Sequence, residues 1–209
     1  KRDWSSDVCS SDLLSLVATS DYAIGIDRRI PATNMKELTA WLKADPKRAS
    51  YGTPGAGALT HFLGLEIGRL IGVEMEHVPY RGSPPVVNDL IAGQIPIAML
   101  STSEFTQHHE AGTLRVIGTF TDAPSPFIKN VALLKDQGID LSAEGWYAFY
   151  GPKNMPRELV MQLNKVINEM VNEPAVKQRF LAMGVAAAGT TPEELTRVQR
   201  RDKEFWGPI

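Results

Sequence analysis

The sequence predicts an α/β fold in which strands and helices alternate. Three observations predict it. Short apolar runs alternate with stretches of helical period between residues 49 and 120. Glycine and proline fall between those runs, where turns belong. Residues 95–100 are apolar almost without alternation, as a strand buried on both faces requires. Such alternation builds a largely parallel sheet with helices on both faces.

The elements follow in order. Residues 14–18 and 22–26 read as two short apolar strands. Asn34 and Glu37 have capping-box spacing, and Leu38, Trp41 and Leu42 line one face of the helix they start. Asp45-Pro46 ends that helix. Residues 49–52 form a strand that runs into a glycine-rich turn. The helix after the turn carries Leu59, Leu63, Ile67 and Leu70 and stops near Gly72. Residues 73–78 alternate as a strand, and residues 79–82 turn. Ser83-Pro84 starts a helix that Gly93 ends. A helix over 103–111 and a strand over 114–120 follow. Residues 122–130 form a proline-rich connector and a domain crossing. Residues 131–137 read as a short helix, and 146–150 as an aromatic strand. Three helices finish the chain. The first carries the stripe Leu159, Leu163, Val166, Ile167 and Met170. The second starts at Pro174 and carries Val176 and Phe180. The third opens with the capping box Thr191 and Glu194 and carries Leu195, Val198 and Phe205.

Composition narrows the function. The 209 residues are 43% hydrophobic and 22% charged, ordinary for one large domain or two small ones. A net charge of −2 argues against a broad nucleic-acid footprint. No apolar run approaches the roughly 20 residues that span a bilayer. Cys9 is the only cysteine, so the chain has neither a disulfide framework nor a thiolate metal site. Residues 1–13 repeat Ser-Ser-Asp and show no period. They read as a non-native string of the kind that adapter read-through leaves, or as a disordered tail, and are set apart from the fold. On the first reading, the natural chain starts upstream.

The stretch YGTPGAGALTHFLGLEIG, residues 51–68, carries the most chemistry. It sets a glycine-rich turn directly before an amphipathic helix. The start of a helix leaves backbone N–H groups without partners, and its dipole favours negative charge. The turn therefore suits an anion, a carboxylate or a phosphate. It lacks the Gly-Lys-Ser/Thr ending of a P-loop, and its glycines are spaced G-x-x-G-x-G, which argues against a nucleotide. Thr53 offers a hydroxyl, and the N–H groups of Ala56, Gly57 and Ala58 can converge on one anion. The alternative is a purely structural tight turn. Tyr80, Arg81 and Gly82 end a strand, where ligands bind in open α/β sheets. Arg81 pairs with a carboxylate or stays a solvated turn arginine. His61 lies in the helix after the turn, and no G-x-S-x-G occurs to give it a serine partner. It reads as a buried histidine sooner than as a base. His77 stands isolated in the sequence. His108, His109 and Glu110 are adjacent and point apart on a helix, which disfavours a shared metal. Trp146 reads as packing or as the wall of a cleft.

The ordered segments YGTPGAGALTHFLGLEIG, HVPYRGSPPVVNDLIAGQIPIAM, AGTLRVIGTF and GWYAFYGPKNMP resemble the Bug family, the substrate-binding proteins of tripartite tricarboxylate transporters. The resemblance runs from residue 14 to residue 209. It implies a periplasmic, two-lobed α/β fold of the type II periplasmic-binding-protein (venus flytrap) kind, whose lobes close on a ligand. It implies a receptor, not an enzyme, that captures a small carboxylate such as citrate, a dicarboxylate, an amino acid or an aromatic acid. Its partners would be that ligand and the permease subunits of the transporter, with no cofactor or metal and a monomeric state. Carried onto this chain, the ligand residues are Thr53, Gly55, Ala56 and Gly57 with Tyr80, Arg81 and Gly82. One lobe would span 24–115, and the other 14–23 with 116–209. That other lobe would be incomplete, with about 100 family residues, the signal peptide among them, missing before Leu14. Ala58 stands where the family pattern usually has a hydroxyl. Pro96 and Leu100 stand where acids are common, and Asn130-Val131 replaces a usual Pro-Thr. The competing readings are an α/β enzyme using His61 or Arg81 on an anionic substrate, and a truncated fragment without function.

Overall fold

The computed structural model describes residues 11–208. They form two compact units: residues 20–145, and residues 11–19 together with 146–208. Residues 1–10 of the expected non-native string lie outside the described residues. Residues 11–13 depart from that expectation, because strand β1 (Ser11–Asp27) begins there. Asp12 in this strand accepts the N–H of Met155 at 2.6 Å. The two short strands read from the sequence are this single strand of 17 residues. Ser20 and Asp21, which break the apolar run, are buried within it.

In the unit of residues 20–145, β1 is followed by α1 (Met35–Ala44), a 3-10 turn (Pro46–Arg48), β2 (Ser50–Thr53) and α2 (Leu59–Ile71). Then come β3 (Glu76–Pro79), α3 (Ser83–Ala92), β4 (Ile97–Ser101), α4 (Thr102–Glu110) and β5 (Leu114–Thr119). The strand order is β3-β2-β4-β1-β5. β2 runs parallel to β3 and β4, whereas β1 lies antiparallel to β4 and β5. The sheet is therefore mixed, a correction to the largely parallel sheet expected. Strands β2 to β5 are joined through helices and so point one way. β1 lies the other way between two of them, β4 and β5.

Local chemistry starts the helices where the sequence placed them. Asn34 accepts the N–H of Glu37 at 3.0 Å, and Glu37 in turn accepts the N–H of Thr33 at 2.7 Å. α1 then buries Met35, Leu38 and Leu42. On one face of the sheet, Val86, Val87 and Leu90 of α3 join Phe105 of α4, Ala98 and Leu100 of β4, and Val116 of β5. The expected lobe boundary at residue 115 falls elsewhere. Phe120 donates its N–H to Tyr22, Ala143 donates to Phe120, and Leu134 and Leu141 are buried, so residues 116–143 stay with this unit. The helix expected over 131–137 shrinks to a 3-10 turn (Lys135–Gln137). Leu133 is drawn into a parallel bridge with Thr119, and Gln137 pins the turn to Ile117 and Met35 at 2.8 Å each.

In the unit of residues 11–19 and 146–208, β6 (Glu144–Pro152) and β7 (Ala186–Ala187) pair with β1. Helices α5 (Arg157–Asn172), α6 (Pro174–Ala182) and α7 (Pro192–Trp206) complete it. α7 opens on the capping box of Thr191 and Glu194. α5 meets only part of the expectation its stripe raises, with Leu163 and Ile167 half-buried. Leu159, Val166 and Met170 are exposed, and Asn164 and Asn168 face inward. Asn164 donates to the carbonyls of Leu14 at 2.8 Å and Thr190 at 2.7 Å, and Asn168 donates to Thr190 at 3.1 Å. The buried carbonyl of Leu14 takes its side-chain bond from Asn164, and burying such a carbonyl without a donor is costly. Asn164→Ala is expected to lower unfolding free energy by about 2 kcal/mol in a urea titration. A loss below about 0.5 kcal/mol would contradict this role.

Candidate anion-binding site

The site forms at the carboxyl end of two parallel strands. β2 and β3 run in register, with Thr53 opposite Pro79. Their pairing extends past the strands. Tyr80 donates its N–H to Thr53 at 2.9 Å, and Gly82 donates to Pro54 at 3.3 Å. The glycine-rich turn and the Tyr80-Arg81-Gly82 segment are thus held side by side by main-chain bonds.

The turn leads directly into α2. Ala58 is the N-cap residue and supplies no side-chain cap. α1 and α7, by contrast, are capped by Asn34 and Thr191. The N–H groups of Gly55, Ala56 and Ala58 donate to no acceptor among the described residues. An uncapped helix start of this kind presents partial positive charge and unclaimed donors. Ala56, Gly57 and Ala58 are exposed, so the donors face solvent. Next to them, α3 also lacks a side-chain cap, but Pro84 and Pro85 remove two of its donors.

The expected ligand residues divide into two sets. Thr53 is fully buried, and its hydroxyl is spent inside the turn. It donates to Gly55 at 3.0 Å and lies 2.7 Å from His77 Nε2. Tyr80 is half-buried and donates its hydroxyl to Asp89 at 2.8 Å. Burial, the bond to Asp89 and the nearby carboxylate charge push the Tyr80 hydroxyl up to about 12. These two side chains brace the turn and do not reach out of it. Gly57 donates its N–H to His61 Nδ1 at 3.2 Å and adopts φ +77°, a left-handed conformation that glycine reaches without strain. What remains outward-facing is Ala56, Ala58 and the exposed side chain of Arg81.

The sequence did not reveal what lies under the turn. His61 of α2 and His77 of β3 stack at 3.9 Å between ring centroids, with 18° between planes. Tyr51 lies 5.1 Å from His77 and donates its hydroxyl to the carbonyl of His61 at 3.1 Å. The Tyr51 ring sits against Gly64, where a Cβ would come within 1.9 Å of the ring. Burial pushes the Tyr51 hydroxyl up to about 12 and, together with the adjacent His61, lowers the pKa of His77. His77, isolated in sequence, is therefore central to the site. The only early sign was its position two residues before Pro79 in a strand that must pair with residues 50–53.

Other polar groups lie farther along the sheet edge. Asp21 and Thr102 stand one residue beyond the last paired rung, Tyr22 opposite Ser101. Asp21 Oδ2, Thr102 Oγ1 and, on α2, Thr60 Oγ1 are buried without partners among the described residues. Burial raises the Asp21 pKa. His109 Nδ1 accepts the N–H of Val116 at 3.1 Å, and Trp146 donates its indole N–H to Asp202 at 2.6 Å. Among the described residues, no three His, Cys, Asp or Glu side chains gather as a metal would need.

Residues 7–209 match the family model described as Tripartite tricarboxylate transporter family receptor. The chain belongs to this receptor family. A UPF0065 protein from the tcbD-tcbE intergenic region of Pseudomonas sp. (strain P51) is 29% identical over 185 residues, covering 85% of this chain and 54% of that relative. The R. palustris protein Rpa4515, solved with adipate, superposes with a TM-score of 0.83 at 20% identity, covering 96% of this chain and 68% of that one. The periplasmic binding protein BugD superposes with a TM-score of 0.80 at 22% identity, covering 95% and 68%. These likenesses establish the α/β fold of such binding proteins. The receptor chain spans about half the length of the curated relatives it matches.

Two outcomes follow for the receptor. Ala58 already has the extended backbone of an N-cap, φ −78° and ψ 163°. Ala58→Ser is expected to raise unfolding free energy by about 1 kcal/mol, measured by denaturant titration. No gain would mean that the amides of α2 are not free. The second outcome concerns alkaline pH. Tyr51 and Tyr80 keep their protons to about 12, whereas an unfolded tyrosine loses its proton near 10.0. Between those values the unfolded chain holds fewer protons, so stability falls as pH rises through that window. Urea midpoints at about pH 9 and about pH 11 should show the fall, and Tyr80→Phe should lessen it. Identical slopes in both proteins would remove Tyr80 from the effect.

Proposed function

We propose that this chain is an extracytoplasmic receptor that binds a small carboxylate and delivers it to the permease of a tripartite tricarboxylate transporter. The observation that carries the reading is the uncapped start of α2. There the unclaimed N–H groups of Gly55, Ala56 and Ala58 stand beside the segment that presents Arg81. Peptide dipoles and a guanidinium neutralise a carboxylate without transforming it. The same arrangement supports a binding role over catalysis, since His61 already accepts Gly57 and is held in a stack. Membership of the receptor family supports a periplasmic location and the permease as partner. The adipate bound to the related R. palustris protein supports a dicarboxylate as the first ligand to try. The receptor acts as a monomer in this reading, and its direct ligand contacts are the main chain of Gly55, Ala56 and Ala58 with Arg81.

Calorimetry with the whole chain should show saturable binding to at least one member of a panel of mono-, di- and tricarboxylates that includes adipate. Arg81→Ala should weaken that binding about ten- to hundredfold, the range of a charge-assisted hydrogen bond. Silence across the panel, or unchanged affinity in the Arg81 variant, would defeat the assignment.

A further inference from the structure

The structure assigns His61 and His77 as positioning residues that hold the glycine-rich turn in its anion-accepting form. The inference deepens the carboxylate-receptor reading and rests on it for the ligand. The turn touches the two imidazoles at both ends. His61 Nδ1 accepts the N–H of Gly57 at 3.2 Å. His77 Nε2 meets the Thr53 hydroxyl at 2.7 Å, and that hydroxyl donates to Gly55 at 3.0 Å. A hydroxyl has one proton to give. Since Thr53 gives it to Gly55, the His77 contact is made by Nε2–H as donor. Likewise His61 accepts at Nδ1, so its proton sits on Nε2. Acceptance at Nδ1 leaves His61 neutral, and the Thr53 contact places a proton on Nε2 of His77.

The surroundings favour that state. The rings stack at 3.9 Å, so two imidazolium charges would repel at close range. His61 lies in the first turn of α2, where the helix dipole disfavours a cation. The titratable group that β2 brings to the pair is Tyr51, which burial keeps protonated. Among the described residues, neither imidazole has a carboxylate within salt-bridge range.

The consequence is a division of labour along the turn. Gly57 points its N–H inward to His61, and Thr53 ties down the carbonyl of Gly55. The amides on either side of Gly57, those of Ala56 and Ala58, stay unclaimed. Without His61, Gly57 loses the bond that holds its N–H among the described residues, and the flanking amides lose their common direction. Binding by converging amides depends on that preorganisation.

The test uses isosteres. In His61→Asn, the side-chain oxygen takes the place of Nδ1 as acceptor; in His61→Ala, nothing does. In the wild-type chain, NMR should detect a 15N–15N coupling across the Gly57 N–H to His61 Nδ1 bond. The Gly57 amide resonance should move upfield in His61→Ala and return toward its place in His61→Asn. Adipate affinity should fall about five- to tenfold in His61→Ala and recover to within about twofold in His61→Asn, while thermal stability stays similar in these two variants. His77→Gln should likewise bind better than His77→Ala. Absence of the coupling, or equal affinity in His61→Ala and His61→Asn, would overturn the assignment. If the wild-type chain binds no carboxylate, the receptor reading fails, and the coupling and the Gly57 shifts still decide whether the imidazoles hold the turn.

Discussion

Peptide N–H groups at the start of a helix must find acceptors, and at the start of α2 this chain supplies almost none. Ala58 has no side chain able to cap, and the one inward amide, that of Gly57, goes to His61. The open donors are a cost to the folded chain unless solvent or an anion meets them. Much else in the unit of residues 20–145 serves to keep that arrangement in place. The parallel pairing of β2 and β3 continues through Tyr80 and Gly82, which fixes Arg81 alongside the turn. Tyr51, tilted against His77 and seated against Gly64, ties β2 to α2.

The support under the turn is aromatic and polar at once. Stacked rings give rigid packing, and their nitrogens give directed hydrogen bonds. Leucines could fill the space but could not orient Gly57 or Thr53. Main-chain recognition also tolerates change in side chains at the turn itself. In the proposed binding mode Ala56 and Ala58 act through backbone, so small residues are sufficient there.

The unit of residues 11–19 and 146–208 follows a different logic. Asparagines on α5 serve the carbonyls of Leu14 and Thr190, while Leu159, Val166 and Met170 of the same helix are exposed and Leu163 and Ile167 are half-buried. Hydrophobic periodicity located the helix correctly and matched only part of the face it buries.

Local signals in the sequence determined a good deal. Asn34, Gly93, Thr191 and Glu194 mark helix ends through bonds made within a few residues, so they could be read directly. The uncapped glycine-rich turn before α2 was equally legible, and so was the strand end at Tyr80. Tertiary structure decided the rest. It set β1 antiparallel in the sheet, kept residues 116–143 with the unit of residues 20–145, and turned Thr53 and Tyr80 inward. It also brought His77 onto His61 across 16 residues of chain. Periodicity and capping report what a segment prefers by itself. Which side chains meet depends on strand register and on which buried polar group lacks a partner, and those are fixed only when distant segments pack together.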